Sequence, residues 1–404
     1  MEQKRYPYVI VGGGLAGASA IEGIRSSDKS GEILLISREK HLPYHRPPLS
    51  KSLWTKKKKV EEIFVQKESF YKDQGVIVRL DCEIVDLDVS AKSLASLKGD
   101  RFMFDTLLLA TGGDPVHLHI PGASDGDVHY FRTLDDYLTL AQLTKDPTSA
   151  LIIGGGFIGT ELAAALTMNG NSVTMLFPEK WPCFKVFPEY LGNRLLKSFR
   201  DHGTTVITED KPVSLKRNGS ARSILSEKGE AAAAEVAIAG VGITPTLSVA
   251  KKAGLVAGNG IAVNAYLQTS HPDIYAAGDN AYFHDVWLGS MQRVEHWDNA
   301  LNQGMHAGKN MAGGHEPYTH LSYFFSDLFE FGYEAVGEID SRLDTFADWQ
   351  EENVKGVVYY LKEDRVRGAL LCNVWDKVDA ARTLIKKNEP LSRESLRGAI
   401  RSEP

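Results

Sequence analysis

The chain has 404 residues, 43% of them apolar, with 46 Lys and Arg against 52 Asp and Glu for a formal net charge of −6. That balance argues against a dedicated nucleic-acid binder, and no apolar stretch is long enough to span a bilayer. A chain of this length is expected to divide into two or three domains, each burying its own core.

The start, Met1-Glu-Gln-Lys-Arg-Tyr-Pro, runs almost at once into a strand-like segment, which leaves no room for a signal or transit peptide and predicts a cytoplasmic protein without membrane association. That segment, Val9-Ile-Val-Gly-Gly-Gly-Leu-Ala-Gly17, is a β-branched strand ending in glycines. Such glycines turn the chain tightly and let backbone N–H groups approach a pyrophosphate at a helix N-terminus. Glu32–Ser37 reads as the second strand, and the acid expected about 20 residues beyond the glycines is Glu39. A polar run with Pro43, Pro47 and Pro48 follows, then Lys56–Lys59, read as a solvated loop, the alternative being a partner site. Gly75–Leu80, Glu83–Leu87 and Phe104–Gly113 read as further strands.

A second fingerprint, Leu151-Ile-Ile-Gly-Gly-Gly-Phe-Ile-Gly159, opens a second βαβ unit whose second strand is Ser172–Phe177 and whose terminal acid is Glu179. Two such copies predict two dinucleotides, and a chain that holds two usually moves electrons between them. The second unit reads as a nested insertion, because after Glu235–Gly242 the segment Pro272–Asp279 is another strand, ending in Gly-Asp, that returns to the first domain. From Pro317 the pattern alternates, and Lys355–Leu361 and Arg367–Cys372 read as antiparallel strands before a polar helix after Lys377. The cysteines, Cys82, Cys183 and Cys372, form no C-x-x-C or C-x4-C pair, so no redox disulfide can be written and they read as semi-buried thiols. No metal site is expected.

Pro43-Tyr-His-Arg-Pro-Pro-Leu-Ser-Lys51, Phe177–Lys180 with Pro188–Tyr190, Arg293-Val-Glu-His-Trp297, and Phe325-Ser-Asp327 leading to Gly332–Ala335 together span nearly the whole chain. In these motifs the chain resembles the flavoprotein family of ferredoxin, rubredoxin and putidaredoxin reductases, within the pyridine nucleotide-disulfide oxidoreductases, and most of all bacterial relatives of apoptosis-inducing factor. The resemblance implies an α/β fold with two Rossmann-like, doubly wound domains and an α+β C-terminal domain. FAD would occupy residues 1–120 and 247–316, NAD the nested residues 121–246, and the C-terminal domain residues 317–404.

For FAD, the resemblance implies the diphosphate on Gly12, Gly13, Gly14, Leu15, Ala16 and Gly17, and the adenosine near Glu39, Arg46, Lys51 and the backbone of Ile84. Arg132 would support the flavin side, Asp279 would meet the ribityl chain, and His296 and Trp297 would flank the isoalloxazine. Relatives often carry an acid where this chain has Arg38, which would stack on adenine or face solvent. For nicotinamide coenzyme, Gly155, Gly156, Phe157 and Ile158 would hold the pyrophosphate and Glu179 the ribose, with Lys185, Gly242, Glu295, Glu334 and Asn373 as further contacts. Lys51 and Glu161 would pair beside the reactive flavin edge, where a cation stabilises reduced flavin. The bland alternatives put Lys51 on a solvent loop, Glu161 in a first helical turn, Asp279 in a strand-end turn, and His296 and Trp297 in ordinary core packing.

Phe325 stands where apoptosis-inducing factors carry a tryptophan, and their long C-terminal insertion is missing, with Phe346–Asn353 separating the relevant strands. The implied function is a flavoprotein oxidoreductase, a ferredoxin-type reductase that prefers NADH and passes electrons from FAD to a ferredoxin- or rubredoxin-like acceptor. The alternative is a redox-sensing flavoprotein like apoptosis-inducing factor, with slow turnover and a long-lived reduced complex. The protein would be a monomer or an NADH-dependent homodimer.

Overall fold

The computed structural model describes residues 4–219 and 221–400, so residues 1–3, from which the expectation about the chain's start is partly drawn, lie outside it. The chain divides into two compact units: Met1–His45, Val60–Asp114 and Thr244–Ser322 in the first, and Arg46–Lys59, Pro115–Ile243 and Tyr323–Pro404 in the second. Among the described residues no helix is long and apolar enough to cross a membrane.

The first unit is built on a seven-stranded sheet. Its parallel part runs Val76–Arg79, Ile33–Ile36, Arg5–Val11, Arg101–Leu109, Ile274–Ala276, and an antiparallel pair, Ser93–Ser96 and Ile84–Asp88, continues from the start of Arg101–Leu109. The parallel strands are continuous apolar runs, with Ile10, Leu34, Leu107 and Ile274 fully buried, as expected where both sheet faces are covered. One cover is a helix pair, Leu15–Ser27 and Trp297–Met311. These helices meet backbone to backbone: a Cβ on Gly304 would lie 2.2 Å from the Ala16 carbonyl oxygen and one on Gly308 2.1 Å from that of Ala20.

In the second unit a five-stranded parallel sheet runs Thr205–Ile207, Ser172–Leu176, Ser149–Ile153, Val236–Ala239, His129–Tyr130. The helix Phe157–Met168 follows Ser149–Ile153. A five-stranded antiparallel sheet then runs Tyr323–Leu328, Phe331–Gly337, Arg365–Cys372, Lys355–Lys362, Asp344–Glu351, followed by the helix Val378–Lys387. Phe346–Asn353 does not separate two strands. Most of it is the strand Asp344–Glu351, whose Phe346 ring stacks on Tyr359 across the ladder, and the turn to the next strand is left to Asn353, at φ 57°.

Candidate active site

In the first unit the glycine fingerprint closes the strand Arg5–Val11 and opens the helix Leu15–Ser27. Gly12 adopts φ +131° with its N–H on the Ile36 carbonyl at 2.8 Å, and a Cβ there would lie 2.0 Å from the Ala110 carbonyl oxygen. Cβ atoms on Gly13 and Gly17 would strike Ser37 and the Gly12 carbonyl, whereas one on Gly14 would meet nothing within 4 Å. Gly14 is the N-cap, without a side-chain cap and with no acid in the first turn. Donors left unsatisfied at such a terminus, with close backbone access, suit a diphosphate.

The second unit repeats this geometry around Gly154, at φ +118° against the Gly240 carbonyl. Gly155 faces the Phe177 ring, Gly159 the Gly154 carbonyl, and a Cβ on Gly156, again an uncapped N-cap, would meet nothing within 4 Å. Both cradles fit a dinucleotide.

Around the first cradle, the Glu39 N–H donates to Ser37 Oγ at 3.1 Å and its carboxylate accepts from the Tyr44 hydroxyl. Arg38 pairs with Asp114, which also accepts from Thr246 Oγ1 at 2.8 Å. Asp279 follows Gly278, whose Cβ would come within 3.1 Å of Ala16, so it neighbours the fingerprint helix, and its carbonyl accepts from Arg293 at 3.2 Å. Arg293 also pairs with Glu295. His296 caps the helix Trp297–Met311, and burial pushes its imidazole down to about 4 against the pull of Asp279 and Asp298. Trp297 Nε1 donates to His45 Nδ1 at 2.9 Å, a partner not singled out in sequence. Ile84 is buried and begins its strand opposite Ser96.

Around the second cradle, Lys51 and Glu161 come together: Lys51 Nζ lies 3.0 Å from Glu161 Oε1, with side chains 16% and 8% exposed. Neither bland alternative holds, since Lys51 is largely covered and Glu161 lies beyond the first helical turn. Ser50 Oγ donates to Glu161 Oε2 at 2.5 Å and Ser326 Oγ to Oε1 at 2.6 Å. Lys51 also donates to the Phe325 carbonyl at 3.0 Å, 4.6 Å from that ring's centroid. Both serines lie within motifs noted in the sequence, Pro43–Lys51 and Phe325–Asp327, but sequence reading gave neither a role, because nothing in either motif points to Glu161.

Arg46 donates to the carbonyl of Arg132, whose N–H donates to Asp136 Oδ2 at 2.9 Å, beside the capping box that Asp136 makes with Thr133. Phe157 packs on Phe324, ring centroids 5.1 Å apart, and Ile158 is exposed. Gly242, at φ +105°, follows the Gly240 carbonyl that abuts Gly154. The Glu179 carbonyl accepts from the Glu209 N–H at 3.1 Å, which sets a second acid beside the ribose-binding candidate. Glu334 sits opposite Phe325 in the ladder, and burial raises its carboxyl, with Asp376 adding and Arg382 opposing. Asn373, at φ 48°, gives its side chain to backbone: Oδ1 accepts from Gly332 N–H at 2.9 Å and Nδ2 donates to Val354. The Lys185 carbonyl accepts from Ser341, and no bond joins Lys185 to Glu179 among those described. All three cysteines are free and buried; burial pushes Cys183 up to about 12 and raises Cys82 and Cys372 as well.

Residues 6–304 match the pyridine nucleotide-disulphide oxidoreductase model, and residues 307–354 and 347–387 match the C-terminal model of mitochondrion-associated apoptosis-inducing factor. The chain is 32% identical to apoptosis-inducing factor 1 of Dictyostelium discoideum, over 96% of this chain and 80% of that one. It is 33% identical to monodehydroascorbate reductase 2 of Arabidopsis thaliana, over 98% of each, and 31% identical to rubredoxin-NAD(+) reductase of Pseudomonas putida, over 89% and 93%. Among solved structures, the covalent putidaredoxin reductase–putidaredoxin complex superposes with a TM-score of 0.91 at 28% identity, covering 97% of this chain and 95% of that one. A ferredoxin reductase from Rhodopseudomonas palustris gives 0.90 at 27%, covering 96% of each. With two glycine cradles that each fit a dinucleotide and a family match over most of its length, the chain belongs to the pyridine nucleotide-disulphide oxidoreductases, as an FAD-dependent NAD(P)H oxidoreductase.

Proposed function

We propose that this protein takes hydride from NADH onto its FAD and passes the electrons singly to a small iron–sulfur protein. The observation that carries the reading is the largely covered Lys51–Glu161 pair, a cation fixed beside a buried carboxylate, of the kind from which reduced flavin gains. When bound, FAD supplies the conversion of a two-electron donor into one-electron steps. Rubredoxin-NAD(+) reductase and putidaredoxin reductase among the relatives support such an acceptor. The cysteines support it too, since all are buried and pushed away from the thiolate form that disulfide exchange requires.

In this reading Gly12–Gly17, Glu39, Ile84, Asp279, His296 and Trp297 serve FAD, with Arg46 and Arg132. Gly155–Ile158, Glu179, Lys185, Gly242, Glu295, Glu334 and Asn373 serve the nicotinamide coenzyme. Residues 1–120 with 247–316, 121–246 and 317–404 are the corresponding domains, and the protein works in the cytoplasm. NADH is preferred because Glu179, with Glu209 beside it, accepts from ribose hydroxyls but repels a 2′-phosphate.

Anaerobic mixing with NADH, then with rubredoxin, a ferredoxin, cytochrome c or oxygen, tests this. Reoxidation by an iron–sulfur protein far faster than by oxygen is expected. A reduced complex that persists with every acceptor and drives dimerisation would instead favour the sensor reading, for which the C-terminal match to apoptosis-inducing factor speaks.

A further inference from the structure

The structure assigns Ser50 and Ser326 as positioning residues: they lock the Glu161 carboxylate, and through it the Lys51 ammonium, in one orientation for flavin chemistry. The inference rests on the reading that Lys51 serves the flavin. It goes beyond that reading in naming what holds the pair in place.

An ionised carboxylate only accepts, and its terminal torsion is broad, so a single ion pair leaves it free to swing. Here the two oxygens are held separately, Oε2 by Ser50 at 2.5 Å and Oε1 by Ser326 at 2.6 Å together with Lys51 at 3.0 Å. Rotation would break both serine bonds. The Ser50 hydroxyl has a second acceptor in reach, the Pro47 carbonyl, but at 3.5 Å, so its proton belongs to the carboxylate.

The two donors come from elements distant in sequence, the short helix Pro47–Ser50 and the strand Tyr323–Leu328. Each adjoins a residue of the pair's surroundings. Ser50 precedes Lys51, and Ser326 follows Phe325, whose carbonyl and ring both receive the ammonium. Lys51 and Glu161 are therefore gripped from both sides by consecutive residues. Ser50, Glu161 and Ser326 are each buried, so water cannot replace a lost hydroxyl without intruding. Nearby, burial raises the Tyr333 phenol well above its ordinary value, with Cys183 and Glu161 adding to the shift, so it stays protonated and adds no competing negative charge.

The test uses FAD-loaded Ser50→Ala, Ser326→Ala and the double variant, with flavin content and thermal unfolding as checks on folding. Single-turnover flavin reduction by NADH and the midpoint potential of the bound flavin are the readouts. Each alanine should slow reduction about 5- to 30-fold at saturating NADH, leave the Kd for NADH within about twofold, and move the potential to more negative values. Ser326→Thr and Ser50→Thr, which keep the hydroxyl, should restore most of the rate, and Ser326→Ala should add little to Glu161→Gln. If an alanine variant fails to hold FAD, Ser326→Cys, near in volume but a weak donor, should show the same slowing. Unchanged rate and potential in the serine variants, while Lys51→Met and Glu161→Gln slow reduction, would overturn the assignment. If Lys51→Met also changes nothing, the reading of Lys51 beneath it fails as well.

Discussion

Coenzyme choice turns on single charges. The loops after Ser172–Leu176 and Thr205–Ile207 are tied backbone to backbone, Glu209 N–H to Glu179 at 3.1 Å and Asp210 N–H to Phe177 at 3.2 Å, so two acids share the end of the parallel sheet. Lys180 and Lys185 are close enough in sequence to offset part of the repulsion. A preference for NADH of about 10- to 100-fold in kcat/KM is therefore expected, with Glu209→Gln lowering it about threefold and Glu179→Ala lowering it more. Equal values for both coenzymes in the unaltered protein would show that neither acid reads the ribose. His296 gives a pH prediction. Unfolded, an imidazole protonates near about 6.5, but folded His296 does so only near about 4. The unfolded chain thus binds the extra proton between these values, and stability falls as pH drops from about 6.5 to about 4, with no further loss from this group below. His296→Gln should flatten that part of the profile in urea titrations, and an unchanged slope would place the loss in other groups.

Helices and strands decide which glycines are structural and which are kept open for a ligand. Gly308→Ala should cost about 3 kcal/mol or more, because its Cβ would sit 2.1 Å from a carbonyl oxygen of the facing helix and neither backbone can give way. Gly14→Ala should do the reverse. Its φ of −89° suits any residue and its Cβ meets nothing, so apoprotein stability should change by under about 1 kcal/mol while FAD affinity falls about 10-fold or more. Urea unfolding of the apoprotein and flavin-fluorescence titration separate the two, and a Gly14→Ala protein that binds FAD normally would remove the diphosphate from this cradle. Elements of this kind were legible in the sequence because their signal is local: a β-branched run, glycines at fixed spacing, then an Ala-rich helix. The Lys51–Glu161 pair was legible only by resemblance and its serine partners not at all, since Ser50 and Ser326 reach Glu161 across 111 and 165 residues. The Arg38–Asp114 pair joins residues 76 apart that no motif links.

At the scale of the whole molecule, the family's name covers enzymes that reduce disulfides, and the question is whether this chain passes electrons through sulfur. Its thiols argue otherwise. Cys183 is the strongest alternative, because its N–H bonds the Gly155 carbonyl at 2.7 Å and its sulfur lies 3.9 Å from Thr160 Oγ1, close to the second cradle. Yet burial pushes it up to about 12, the negative charge of Glu161 reinforces the shift, and it forms no disulfide in the structure. A thiol pushed that way stays protonated at neutral pH, whereas the attacking nucleophile in disulfide exchange is the thiolate. Replacing Cys82, Cys183 and Cys372 together by Ser should therefore leave flavin reduction by NADH and electron delivery to an iron–sulfur acceptor within about twofold. The cost should be packing and desolvation alone, about 1–3 kcal/mol at each fully buried position, read as a lower Tm. Single-turnover reduction and steady-state transfer in the FAD-loaded triple variant decide the matter. A folded, flavin-loaded protein that still accepts hydride but no longer passes electrons on would put a cysteine in the path and overturn direct transfer from the flavin.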